Sequence, residues 1–179
     1  MTVPCDVVDH KGFGPLPVSF YQRVTSNVTL LPTRLAEFQT DLAGRLVLAD
    51  QPGLEVRNLR DRYGFKQEWL AERLGLRRES LSRIESGHVA PSVGFIQRFT
   101  RVMTLARGVR EHLASLEMRN APRAAPGAAE AEMDALGLAL RLDPETAGEI
   151  IARATESYEE KRKAAVESLR APAGARKER

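Results

Sequence analysis

Between Pro32 and Ala49 the apolar residues Leu35, Phe38, Leu42, Leu46 and Ala49 recur at three- and four-residue steps, the period of one helical stripe. The spacing predicts a helix over about residues 33–49, ended by Gln51-Pro52-Gly53. Four short segments follow: 55–63, 66–74, 78–86 and 92–104. The first three stop at Gly64, Gly75 and Gly87, and glycine just past a helix end is the expected left-handed terminator. Ser92, after Pro91, is placed to cap the fourth. Their apolar positions, Val56, Leu59, Leu70, Ala71, Leu74, Leu76, Leu81, Ile84, Val93, Ile96, Phe99 and Met103, fall on one side of each segment and suffice for a small shared core.

Outside this block the pattern changes. Before residue 32 the clusters VPCDVV and PVSFYQRVTSNVTLL predict one or two short strands or an extended arm. After it, Val109, Leu113 and Leu116 mark a helix over 106–118, and the Pro/Ala/Gly-rich run NAPRAAPGAAEAE reads as a linker. Asp143 and Pro144 then supply an N-cap and a first helical residue for a helix reaching about Arg170. Its seam of Ala147, Ile151, Ala154, Tyr158, Lys161 and Ala165, with Glu159 and Lys163 at i,i+4 spacing, is too poor in Leu for a coiled coil. A dimerisation helix and a solvated tail are the two readings. The expected organisation is an N-terminal extension over 1–53, a compact domain of four to five helices over 54–105, a helix over 106–119, a linker over 120–131 and a helical tail over 132–179. The fold class is mostly α.

Composition narrows the function classes. No window reaches the roughly 18 consecutive apolar residues that span a bilayer, and the first residues lack a secretory pattern, so a soluble, cytoplasmic protein without a membrane partner is expected. The lone Cys5 fits a reducing compartment. His10, His88 and His112 lie far apart, so no metal-ligand spacing exists and no metal or other cofactor is expected. No Ser/His/Asp set, phosphate loop or carboxylate cluster points to an enzyme. The charge is informative. Of 27 basic and 24 acidic residues, 12 basic and 6 acidic fall between 55 and 110. That local excess is the electrostatic footprint of a module that binds phosphates.

The segments 66–74 and 78–86, joined through Gly75-Leu76, read as a helix-turn-helix. In that unit the second helix enters the major groove of DNA. Leu81 and Ile84 anchor it to the core and leave Arg78, Glu79, Ser82 and Arg83 facing outward, where guanidinium groups suit a guanine edge or a phosphate.

The run GFKQEWLAERLGLRRESLSRIESGHVAPS, residues 64–92, resembles the helix-turn-helix domain of the Xre, Cro and phage repressor family. The matching positions are Gly64, Gln67, Leu70, Ala71, Gly75, Leu76, Leu81, Ser82, Ile84, Glu85, Gly87 and Pro91, without a gap. The resemblance covers about residues 54–105. It implies base reading by Arg78, Glu79, Ser82 and Arg83, and phosphate contacts from Lys66, Gln67, Arg77, Ser80, Ser86 and His88. It also implies a structural ion pair between Arg60 and Glu85. Lys66 and Arg77 stand where Ser or Thr is usual, and Trp69 where the family is polar. Trp69 either packs under the helix over 33–49 or forms a surface patch for a partner. The implied function is a sequence-specific regulator of transcription, a repressor-type protein acting on double-stranded DNA as a homodimer. The alternative on the same domain is an antitoxin or bridging adaptor, whose main partner is a protein.

Overall fold

The computed structural model describes residues 32–118 and 128–170. The strands or arm expected before residue 32, with Cys5 and His10, lie outside the described residues. Those described form seven helices and no strand: α1 (Thr33–Leu48), α2 (Pro52–Tyr63), α3 (Gln67–Arg73), α4 (Arg78–Glu85), α5 (Val93–Met118), α6 (Ala128–Ala139) and α7 (Pro144–Arg170). None of these helices is long and apolar enough to cross a membrane.

Local chemistry sets most boundaries. Pro52 opens α2 at its first turn, and Gly64 closes it in the left-handed conformation (φ 73°), where the Phe65 amide returns to the Arg60 carbonyl at 3.0 Å. Gly75 and Gly87 also have positive φ, as expected of terminators. Ser92 Oγ accepts the Phe95 amide at 3.2 Å, and Asp143 Oδ1 accepts the Thr146 amide at 2.8 Å, so both expected caps form.

Two features depart from the sequence reading. The helices expected over 92–104 and 106–118 are one continuous α5 of 26 residues. Gly108 sits inside it at a close approach: a Cβ there would meet Leu136 of α6 and Leu35 of α1. The helix continues because packing from both sides replaces the support that glycine withholds. Similarly, α6 starts at Ala128, inside the run read as linker; residues 120–127 of that run lie outside the described ones. Met133 and Leu136 of α6 and Leu140 just after it are buried, so this Ala-rich segment gains from tertiary packing what its length alone would not supply.

One core joins all seven helices. Leu35, Leu42 and Leu46 of α1 meet Val56 and Leu59 of α2, Leu70, Ala71 and Leu74 of the α3 turn, and Leu81 and Ile84 of α4. Along α5, Phe95, Ile96, Phe99, Val102, Met103, Leu105, Ala106 and Val109 are buried. Val93, counted with the core from its spacing, is instead 71% exposed at the first turn of α5, while Phe95 is buried. Leu76 is partly buried. Trp69 is half-buried against Phe65 at 4.7 Å between centroids, with the Arg73 guanidinium 5.7 Å from its ring.

The chain beyond 128 packs back on the rest. Of the expected seam, Ala147 and Ala154 are buried and Ile151 is partly buried against the core, together with Ile150 and Ser157 of α7. Arg73 of α3 pairs with Glu149. Arg153 reaches the Gly64 carbonyl at 3.4 Å, and Lys161 donates to the Arg62 carbonyl. From Glu159 to Leu169 the helix is exposed.

Candidate nucleic-acid interface

Helix α4 has two faces of opposite character. Leu81 is fully buried, Ile84 and Glu85 nearly so, while Arg78, Glu79, Ser80, Ser82 and Arg83 are exposed. This follows from the helical period: 81, 84 and 85 lie on one stripe, and 78, 79, 82 and 83 on the other. Neither Lys66 nor Arg77, which precede α3 and α4, makes a side-chain cap hydrogen bond. Both are exposed, so both cations are free to reach an outside anion.

The α4 helix is fixed from below by Glu85. Arg60 of α2 grips this carboxylate with two bonds, Nε to Oε1 at 2.7 Å and Nη2 to Oε2 at 3.1 Å. Gln67 of α3 donates from Nε2 to Oε2 at 2.9 Å. Arg60 also donates to Asp61 Oδ1 at 2.6 Å and the Phe65 carbonyl at 3.0 Å. The paired hydrogen bonds to Glu85 raise the Arg60 pKa above the ordinary arginine value, against the opposing effect of burial. The implied ion pair is therefore present, and it ties α2, α3 and α4 at one buried anion. Gly53 tightens the same joint: a Cβ there would collide with the Ile84 carbonyl oxygen at the end of α4.

Above this joint opens a cleft of about 330 Å³, lined by Arg57, Arg60, Gln67, Ser82, Glu85 and Ser86. Glu85 at its floor is saturated by Arg60 and Gln67, so the rim is left cationic. Arg57 is the rim residue that the sequence reading omitted. Its guanidinium is 63% exposed and 3.8 Å from Asp61. The available signal was its place one turn before Arg60 on the same helix. Ser86, expected at a phosphate, donates its hydroxyl to the Ser82 carbonyl at 2.8 Å, with His88 Nδ1 2.7 Å away. Its hydroxyl is engaged within the chain, and which of Ser86 Oγ and His88 Nδ1 donates to the other follows the imidazole tautomer. The other residues expected at bases or phosphates are exposed, except Gln67, which is half-buried. No group of His, Cys, Asp and Glu among the described residues could hold a metal ion.

Two helices joined by a glycine turn, the second presenting a charged outer face, decide the comparison. Residues 53–113 match a family model described as a helix-turn-helix domain. The match takes in α2, α3, α4 and most of α5. The match runs past residue 105 into the continuous α5. No curated protein and no solved structure gives a match.

Proposed function

We propose that this chain is a sequence-specific, double-stranded-DNA-binding regulator of transcription that places α4 in the major groove. The observation that carries the reading is the exposed row Arg78, Glu79, Ser82 and Arg83 on a helix whose opposite face is locked by Leu81, Ile84 and Glu85. Arg78 and Arg83 suit guanine edges, Glu79 a cytosine amino group. Lys66, Arg77, Ser80 and His88, with Arg57 at the cleft rim, supply phosphate contacts that set register without reading sequence. Gln67 is held to Glu85 at 2.9 Å, lines the cleft and positions the joint. One such domain reads few base pairs, so the active form in this reading is a homodimer on half-sites about 34 Å apart.

Fluorescence anisotropy tests the reading, comparing the duplex upstream of the protein's own gene with a random duplex of equal length, from low to physiological salt. A preference for the upstream duplex that survives physiological salt is expected. Equal binding to both that vanishes with salt rejects specific regulation from that site.

A further inference from the structure

Arg110 of α5 and Lys161 of α7 both reach the last turn of α2, where Arg62 stands. Arg62 lies at the end of α2, Arg110 on α5 and Lys161 on α7. Lys161 Nζ donates to the Arg62 carbonyl, which fixes α7 against the last turn of α2. Arg110 Nη2 donates to Ser157 Oγ at 3.2 Å, and its guanidinium lies 4.4 Å over the Tyr63 ring. Its Nε is buried with no hydrogen-bond partner.

The carboxylates facing this junction are already engaged. Glu111 binds Arg107 at 2.7 Å. Glu117 binds Arg162 at 2.7 Å and accepts the Tyr158 hydroxyl at 3.0 Å, and Glu159 acts on Arg162. Once those pairs are set aside, Arg62, Arg110 and Lys161 remain, and none of them forms an ion pair with another described residue. Burial, and then the charges of the other cations, act to lower the pKa of Arg110 and Lys161. Arg110 is lowered by burial first and then by Arg62; Lys161 is lowered by burial first and then by Arg110 and Arg62.

Like charges this close are costly unless a counter-ion joins them. Two guanidinium forks and one ammonium, beside the Ser157 hydroxyl, match a multivalent oxyanion with several acceptors better than a single carboxylate. We propose that the junction is a binding site for a small phosphate-bearing ligand, held by Arg62, Arg110 and Lys161, that fastens α7 to the end of α2. No residue of α4 belongs to it, so the ligand and the DNA-reading face are separate.

The test is thermal unfolding of the full chain at constant ionic strength, with chloride replaced stepwise by pyrophosphate. Binding to the folded chain raises Tm by mass action. The wild type is expected to show a saturable rise. Arg62→Gln and Lys161→Gln, both at exposed positions, are each expected to move the titration midpoint up about tenfold, as loss of one charge-assisted contact implies. Arg78→Ala and Arg83→Ala are expected to keep the wild-type curve. In chloride alone Arg62→Gln is expected to melt higher than the wild type, because it relieves the repulsion. No rise in the wild type, an unchanged rise in both junction variants, or its loss in the α4 variants overturns the site. A second arm separates a small ligand from the DNA backbone. With a random duplex, Arg62→Gln is expected to leave the dependence of affinity on salt unchanged. A slope reduced by about one assigns the cluster to DNA phosphate and overturns the small-ligand site.

Discussion

Glu85 is the residue on which the geometry of α4 turns, because one buried carboxylate receives Arg60 twice and Gln67 once. Arg60 cannot escape by losing its proton, since a guanidinium stays charged throughout the accessible pH range even without its partner. Glu85→Ala therefore strands a guanidinium in a partly buried site. It is expected to cost about 3 kcal/mol, read by urea denaturation, and to weaken DNA binding at all sequences together. The outer face behaves differently. Arg83→Ala and Arg78→Ala are expected to leave stability within about 0.5 kcal/mol of the wild type while costing about 1–3 kcal/mol of binding and relaxing preference at one base position. Affinities on a panel of single-base variants check this; equal losses on every duplex refute base reading. This split was legible in the sequence because Leu81 and Ile84 fix which side of α4 is inward. Arg57 was not, since nothing local distinguishes a cation on the cleft rim from one in open solvent.

Among the elements, α2 and α4 are spaced by the absence of a side chain. Gly53→Ala drives a methyl group into the Ile84 carbonyl and is expected to destabilise by about 1–3 kcal/mol with a lower denaturant midpoint, whereas Gly44→Ala, where nothing stands in the way, is expected to stabilise α1 by about 0.5–1 kcal/mol. The docking of α7 depends on acid groups. Asp143, bonded to the Thr146 amide, and Glu117, bonded to Arg162 and Tyr158, both titrate below their ordinary values. A depressed carboxylate contributes stability above its unfolded pKa and loses it as pH falls through the folded one. Hydrogen exchange across α7 is expected to be slow near neutrality and to lose protection, relative to α3 and α4, as pH drops below about 4. Glu117→Gln is expected to remove part of that dependence. Helix starts and stops were readable because Gly, Pro, Ser and Asp act within a turn of where they stand. The continuity of α5 through Gly108 was not, because Leu35 and Leu136 supply it from distant parts of the chain. The early burial of the α7 seam hid for the same reason.

At the scale of the whole molecule, the basic excess between residues 55 and 110 sets how affinity responds to salt. Lys66→Gln or Arg77→Gln is expected to weaken specific and random duplexes alike and to reduce the slope of log affinity against log salt by about 0.9 each. A slope that stays fixed removes that residue from the phosphate contacts. Helix α5, about 39 Å long at 1.5 Å per residue, is the spine on which both the helix-turn-helix domain and the α6–α7 pair are mounted. The bonds that close the end of α2 come from far along the chain: Arg153 is 89 residues from Gly64, and Lys161 is 99 from Arg62. During synthesis, then, α2 to α5 emerge and collapse while the Arg62 and Gly64 carbonyls still face water. Helix α4 is in place before the clamp on its neighbour exists. A nascent chain halted before Arg153 is expected to hold a loosened version of the domain, sensitive to protease around Gly64, and to become resistant only once α7 has left the ribosome.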